Sequence, residues 1–511
     1  MLYFRLSEMT SKIKRDASRA KRNGHAWVRC RRLAMYAFAA SLLASGGCSL
    51  QPAYTKPTLA TPSGWSGASA PEDNQPSLAA KPWWRKLGDD AVDELIDKAL
   101  ADNPTLLQAL MRIDEARGTL GVTTADTLPT IGASASLTRE QSQNTSPFSS
   151  STTVLGTSAS VGPSFSWEID LFGRVRESVE ASQNRLDART ADAASTRLTL
   201  VADIANDVLT LRACENSRRV LVDDIASRER TLALTRRRLQ SGFAAAVDEA
   251  RILTGLATSR TNLATQQEQC ARQVNALVAL SGQSSSRVKT LVGVAPSTPD
   301  AAPVFMPRAP AAVPAMPATV LVQHPDVISA EREVAAAWAD IAVARANRLP
   351  RIDLTAALTG QWIRAAGSSL DFNTWSIGPS LSGTLFDGGT GAANVKVADA
   401  RYRRAVTSLQ GTLRTTVQDV ENAIAAQASA ELRGASTREG VIAACTTLLA
   451  SDAQWKVGAV SLFELEDSRR QFASAQDAQI SARRDQAQAW ISLVKATGGA
   501  IALIPDNTAH E

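Results

Sequence analysis

The chain carries the same long pattern twice, and each copy joins strand-like alternation to very long helical stretches. Asn103-Pro104 opens a helical stretch that closes at Leu128-Pro129-Thr130-Ile131, and His324-Pro325 opens another that closes at Leu349-Pro350-Arg351-Ile352. The paired prolines are offset by 221 residues. Further on, Gly162-Pro163-Ser164 returns as Gly378-Pro379-Ser380, Gly173 as Gly389, Gly242 as Gly458 and Gly282 as Gly498, all at an offset of 216. A repeat this long is a duplicated domain, not a solenoid period. The offset drops by 5 between Pro129 and Gly162. Residues 139–157, rich in Ser, Thr, Gln and Asn, absorb that change and read as an exposed loop tip, where length changes are tolerated.

From Gly173 to Gln240 there is no proline and no glycine after the first residue; at about 1.5 Å per residue such a helix reaches roughly 100 Å. Val201, Ile204, Val208 and Leu211 step by 3, 4 and 3, as in a coiled-coil seam. Ser241-Gly242 breaks the stretch, and Ala244 to Leu280 returns as helix to Ser281-Gly282. The second copy runs from Thr390 to Lys456, breaks at Val457-Gly458 and resumes to Thr497.

Ahead of each long helix lie two period-two segments. Ala133, Ala135 and Leu137 alternate with Ser134, Ser136 and Thr138; Val161, Phe165 and Trp167 alternate with Ser160, Ser164 and Ser166. Ile352, Leu354 and Leu358 oppose Asp353, Thr355 and Thr359, and Ile377, Leu381 and Leu385 oppose Ser376, Ser380 and Thr384. An apolar face against a small-polar face fits either a half-buried sheet or membrane β-barrel strands. Four strands cannot close a barrel, since single-chain membrane barrels start at about eight, and lipid does not tolerate open strand edges. The membrane reading therefore requires several chains to share one barrel. It also places Phe165, Trp167 and Leu385 near the membrane-to-periplasm junction.

The net charge of +5 is misleading. Residues 1–47 hold ten Lys/Arg and two Asp/Glu, so the remainder is close to −3 and no basic surface points to nucleic acid. Arg29, Arg31 and Arg32 precede the apolar run Leu33 to Ala44, and Ser45-Gly46-Gly47-Cys48 follows, which is the order of a secretory signal. The run is too short to span a bilayer. Gly-Gly-Cys resembles a bacterial lipoprotein signal, with Cys48 as the acylated first residue.

Read in order, residues 1–47 are a signal with a long basic leader, and 48–89 a tether ending in Trp83-Trp84. Residues 90–282 form the first repeat, beginning with a helix from Asp90 to Gly121. Residues 283–318, with seven prolines, form a connector. Residues 319–499 form the second repeat, and 500–511 a tail. No P-loop, GxSxG or HExxH occurs, and the three histidines lie apart at positions 25, 324 and 510. The chain reads as no enzyme, with no cofactor beyond a covalent lipid and no metal site.

Three remaining cysteines show no metal spacing. Cys214 lies 28 residues before Gly242 and Cys270 lies 28 after it, so two antiparallel helices put them at one height. They form either a periplasmic disulfide or two buried thiols. Cys445 has no partner opposite and is expected as a free thiol.

Trp83-Trp84-Arg85-Lys86-Leu87-Gly88-Asp89, the Asn103-Pro104 helix start, Trp167-Glu168-Ile169-Asp170-Leu171-Phe172-Gly173 and Leu385-Phe386-Asp387-Gly388-Gly389 together resemble the outer-membrane efflux proteins of the TolC/OprM type, in the NodT-like lipoprotein branch. The resemblance covers nearly all of residues 48–499. It implies a mainly α protomer with four membrane β-barrel strands and coiled-coil hairpins. As a homotrimer this closes into a 12-stranded barrel, continuous with a periplasmic α-barrel. It implies a conduit for drugs or other small molecules, fed by a periplasmic membrane-fusion adaptor and an inner-membrane RND-type or MFS-type pump. The alternative within the family is a type I protein-secretion channel. The adaptor would dock at the tips, around Arg238, Gly242, Lys456 and Gly458.

Glu464 and Asp467 follow the Gly458 turn, spaced by three so that both carboxylates share a helix face. The family carries acids at these positions, which implies a periplasmic gate, with Asp248 as the first-copy counterpart of Glu464. The other reading is a solvated face partnered by Arg469 and Arg470. Where some members have a basic residue after the Gly, this chain has Val460.

Lipidation is tested by mass spectrometry of the mature protein. The expected N-terminal peptide begins at acylated Cys48; an unmodified peptide starting upstream of Cys48 refutes it.

Overall fold

The computed structural model describes residues 52–58, 62–66, 82–144, 152–294, 303–308, 310, 312–314, 317–365, 367–499 and 501–503. The leader, Cys48 and residues 145–151 fall outside these; the rest of the segment expected as a loop over 139–157 is strand instead, with Arg139 to Asn144 paired to Thr157 to Thr152. In chain order, a 3₁₀ turn (Trp83–Leu87) precedes α1 (Asp90–Asp102), α2 (Pro104–Ala125), β1 (Thr130–Asn144) and β2 (Thr152–Glu168). Then come α3 (Arg174–Gln240), α4 (Ala246–Ser281), α5 (Ser285–Val292), β3 (Ala312–Pro314), α6 (Pro317–Gln323) and α7 (Pro325–Ala346). β4 (Arg351–Ala365), β5 (Ser368–Ser382), α8 (Thr390–Lys456), α9 (Leu462–Ala496) and β6 (Ile501–Leu503) complete the chain. Two compact units interleave along it: one holds Thr123–Val179 and Asp340–Val397, the other Tyr54–Val122, Glu180–Ala339 and the chain from Ala398 onward.

The first unit is built on an antiparallel sheet of order β1-β2-β4-β5. Its register aligns Ile131, Phe165, Ala356 and Ile377 in one row, and Ser136, Ser160, Gln361 and Phe372 in a row of the opposite face. Side chains of a strand alternate between faces, so the first face is largely apolar and the second rich in small polar residues. On the polar face the hydroxyls of Ser136 and Ser160 lie 2.8 Å apart. Gly162 cannot be replaced at its place in β2, because a Cβ there would sit 1.9 Å from the Leu358 carbonyl oxygen. Its repeat counterpart, Gly378, faces open space.

α3 and α8 each run 67 residues, beginning in the first unit and continuing through most of their length in the second. Both end in the same turn chemistry. Gly242 and Gly458 adopt left-handed φ values of 78° and 80°, as only glycine does readily. Phe243 N–H reaches back to Arg238 O (2.7 Å) and Ala459 N–H to Gln454 O (2.8 Å), satisfying carbonyls that a helix end leaves open. Near the Cys214 level, α3 buries Val201, Ile204, Val208 and Leu211 against Leu95 and Ile96 of α1, Val274 and Leu277 of α4, and Trp490 and Val494 of α9. Trp83 packs edge-on to both Trp84 and Trp490.

Three further segments depart from the sequence reading. The helix expected from Asp90 to Gly121 is broken at Asn103, because Pro104 starts a new helix and the Asn103 carboxamide oxygen caps it through Thr105 N–H (2.9 Å) and Leu106 N–H (3.2 Å). The connector contains α5, capped by Ser284, and β3, which pairs with β6 from the expected tail. The tether is strapped down: Trp65 is buried, Tyr54 donates to Glu331 (3.0 Å), and Ser66 bonds Glu421 through its N–H and hydroxyl.

His324 occupies in the second copy the capping place that Asn103 fills in the first. Its Nδ1 accepts Asp326 N–H (3.3 Å), which only the neutral ring can do. Burial holds its pKa below the ordinary histidine value, against the Asp326 and Asp419 carboxylates and a bond to the Lys495 backbone. A depressed histidine pKa makes the folded state bind fewer protons than the unfolded one at mildly acidic pH. This contribution to stability is therefore full above the unfolded pKa and is lost as pH falls through the folded one. His324→Asn should keep the cap and flatten the fall in unfolding midpoint between pH 7 and 5; His324→Ala should cost about 1 kcal/mol at pH 7. Thermal unfolding at both pH values checks this, and parallel pH profiles for wild type and His324→Asn would refute it.

Candidate functional site at the hairpin tips

The four long helices converge on a small core near the turns, where Leu232 of α3, Ile252 and Leu256 of α4, Trp455 of α8, and Leu462 and Leu465 of α9 are buried together. Beyond this core the surface is openly apolar. Phe243 is 84% exposed and Val457 81%, with Val247 and Phe463 also exposed. Exposed apolar clusters of this kind mark contact surfaces.

The residues expected at the docking tips have mutual contacts. The Arg238 guanidinium lies over the Trp455 ring, 4.6 Å from its centroid, and donates to Lys456 O (3.2 Å). Arg238 thus ties the first turn to the second. Lys456 pairs with Asp452 (2.6 Å).

Of the acids expected at the gate, Glu464 and Asp248 lie in the first turns of the returning helices and Asp467 in the turn that follows on α9. Glu464 is exposed, and its N–H donates to Ser461 Oγ (3.3 Å), the cap of α9. Asp248 accepts Ala245 N–H (3.3 Å) at the start of α4. Carboxylates are stabilised at helix N-termini by the open N–H groups there. Asp467 pairs with Arg470 and accepts from Gln471 Nε2 (2.6 Å). The structure brings Glu464 and Asp467 to one helix and places Asp248 on the other hairpin. Arg469 turns away from Asp467 to Glu466 (2.9 Å) and Thr231 (2.7 Å).

That last contact belongs to a buried network with no sequence signature. Arg228 of α3 binds Asp224 (2.8 Å) on its own helix and Glu466 on α9, while Ser259 of α4 donates to Asp224 (2.6 Å). Gly255 makes room for it, since a Cβ there would meet the Arg228 guanidinium at 2.5 Å. Removing one partner of such a buried cluster leaves uncompensated charge, at a cost of about 3–5 kcal/mol. The network binds the first hairpin to the second.

Higher on the first hairpin, Cys214 and Cys270 form a disulfide with Cα atoms 5.6 Å apart, and Cys445 is a free thiol. Among the described residues, no group of three His, Cys, Asp or Glu could hold a metal ion, and no helix is long and apolar enough to cross a membrane.

Residues 95–283 and 316–499 match the family described as outer membrane efflux protein. Outer membrane protein OprJ of Pseudomonas aeruginosa is 28% identical over 473 residues, spanning 89% of this chain and 94% of OprJ. The toluene efflux pump outer membrane protein TtgC of Pseudomonas putida is 28% identical over 466 residues, spanning 89% and 93%. The solved structure of the outer-membrane channel OprN aligns with a TM-score of 0.76 at 25% identity, covering 88% of this chain and 99% of that one. The chain belongs to the outer membrane efflux protein family. It is an outer-membrane protein that serves efflux as the channel component, in a family of transport channels that needs no cofactor.

Alkylation in denaturant without reductant should label Cys445 alone, and prior reduction should expose Cys214 and Cys270. Labelling of all three thiols without reductant would show that the bridge does not form in the cell.

Proposed function

We propose that three copies of this chain close one 12-stranded barrel in the outer membrane, with their helical hairpins forming the wall of a periplasmic α-barrel. The observation that carries this reading is the four-stranded sheet. β1 and β5 are its edges, and one of its faces is apolar along most of its length. A row of unpaired N–H and C=O groups is not tolerated in lipid, so each β1 needs the β5 of a neighbour. The opposite face, lined by Ser134, Ser136, Ser160, Ser164, Thr355 and Ser380, suits a water-filled lumen.

The exposed apolar tips around Gly242 and Gly458 receive a periplasmic adaptor, with Arg238 and Lys456 at the junction. An inner-membrane pump of RND or MFS type supplies the energy, because the channel performs no chemistry. The cargo is drugs or other small molecules, in keeping with the toluene efflux named for one relative. A lipid on Cys48 adds a second anchor to the barrel.

Glu464 and Asp467 line the periplasmic gate, joined by Asp248 from the first hairpin. Threefold symmetry would gather six carboxylates from α9 around one axis, attracting cations to a narrow opening. The place of Glu464 and Asp248 in first helical turns stabilises their charge locally and is compatible with this role.

Single-channel conductance of the reconstituted protein tests the gate. Replacing Glu464 and Asp467 with Ala should lower cation selectivity and raise the half-blocking concentration of a multivalent cation several-fold. Selectivity and block identical to wild type would place these residues off the pore.

A further inference from the structure

The register of the sheet puts two arginines into one row on the apolar face. Arg139 of β1 pairs with Thr157 of β2, Thr157 with Arg364 of β4, and Arg364 with Ser369 of β5. The row reads guanidinium, hydroxyl, guanidinium, hydroxyl, and holds no carboxylate. One strand separates the two arginines, so their backbones stand about 10 Å apart. Both side chains are exposed, and among the described residues neither guanidinium takes part in a hydrogen bond or ion pair.

The height of this row is set by the strands. The lowest apolar row of the face is Ile352 with Leu381, twelve residues before Arg364. Twelve residues advance about 40 Å along a strand, and a strand tilted about 40° climbs about 30 Å along the membrane normal. That is the thickness of the hydrocarbon layer. The low end of the sheet is joined by chain to the helices and the high end carries the hairpin turns. The arginine row therefore lies where the apolar band ends on the outer side. Immediately below it on the same face lie Leu137, Ala159 and Trp362. Asp371 completes that lower row, in register with Trp362 and diagonal to Arg364.

We propose that Arg139 and Arg364, with the Thr157 hydroxyl between them, bind the phosphate groups of a lipid headgroup in the outer leaflet, while Leu137, Ala159 and Trp362 carry its acyl chains. The proposal rests on the outer-membrane barrel reading above. Guanidinium groups pair with phosphate oxygens in charge-assisted, bidentate hydrogen bonds, and two of them about 10 Å apart suit a headgroup bearing two phosphates better than one. A soluble phosphate gains nothing from the apolar row beneath, whereas a lipid uses both rows at once. Asp371 repels a headgroup that slides below the arginines and so fixes its height.

The probe is a diphosphorylated lipid A, offered to the delipidated full-length protein in detergent and counted by native mass spectrometry. Wild type should retain it through gel filtration. Arg139→Gln and Arg364→Gln should each weaken retention about five-fold, and the double variant about thirty-fold, at about 1 kcal/mol per interfacial arginine. Dephosphorylated lipid A should not be retained, and millimolar inorganic phosphate should not displace the bound lipid. Equal retention by the double variant, equal retention of the dephosphorylated form, or displacement by free phosphate would each overturn the site. Insertion of the wild type as a conducting trimer tests the barrel separately. Loss of the lipid result with insertion intact overturns the headgroup site alone.

Discussion

A single buried guanidinium holds together stretches of the helical unit that lie far apart in the chain. Arg212 of α3 forms an ion pair with Asp89 through both carboxylate oxygens, and the side chains of both residues are almost fully buried. Asp89 is also the cap of α1, accepting Ala91 N–H (3.1 Å) and Val92 N–H (3.3 Å). One carboxylate thus starts a helix and fastens it to another. The same guanidinium lies 5.4 Å from the ring centre of Phe305, and one turn on, Asn216 exchanges two hydrogen bonds with the backbone of Val304. Between them, Cys214 is bonded to α4. Desolvating such a pair is expensive, and its return lies less in net stability than in the cost of breaking it, because either partner left alone is a buried charge. That property suits a residue that fixes how separate segments register on one long helix.

Between that region and the tip core, polar contacts also join the two helices of the second hairpin. Arg433 pairs with Asp485 (2.7 Å), Gln486 Nε2 donates to Ala430 O (3.2 Å), and Ser451 and Ser468 hydroxyls meet at 2.9 Å. Small residues permit the approach: a Cβ on Gly434 would collide with Gln486 at 2.0 Å. A hairpin joined in this way keeps polar groups on both sides. The α-barrel wall proposed above would need this, because it would meet water on the inside and the outside.

The parts legible in the sequence are those that a local rule specifies. Long proline-free stretches between glycines gave helices ending within a residue or two of Gly242, Gly282 and Gly458, because only a left-handed residue closes the helix end there. Equal spacing from a turn placed Cys214 opposite Cys270, since two antiparallel helices share one rise per residue. Alternation marked the strands, because a sheet face has a period of two. What stayed hidden depends on partners distant in the chain. Nothing local in Arg228 announces Glu466, 238 residues away, or in Arg212 announces Asp89, 123 residues away. The helix start at Asn103-Pro104 is legible from the proline, but helical spacing runs on across it, so Asp90 to Gly121 also reads as one helix where the structure has two. At the tips, sequence spacing could align Glu464 with Asp467, but it could not tell that Arg469 serves Glu466 and Arg470 serves Asp467.

The two copies share a plan but not a mechanical role. Gly162 must remain glycine beneath the Leu358 carbonyl, whereas Gly378 has room for a side chain. Asn103 caps its helix with a group that never titrates, whereas His324 caps its counterpart only while neutral. The first hairpin is tied across its helices by a covalent bond, and the second leaves Cys445 unpaired. Duplication supplies two hairpins and two strand pairs at once, and the two pairs join into one sheet of order β1-β2-β4-β5. Each copy was then free to lose symmetry wherever its surroundings in the protomer differ. At the tips that asymmetry becomes an attachment: Arg228 and Arg238 reach from the first hairpin to Glu466, Trp455 and Lys456 of the second. The two hairpins are therefore joined at the tip by charges, one stacked ring and the apolar core shared by Leu232, Ile252, Leu256, Trp455, Leu462 and Leu465, whereas the disulfide lies within the first hairpin.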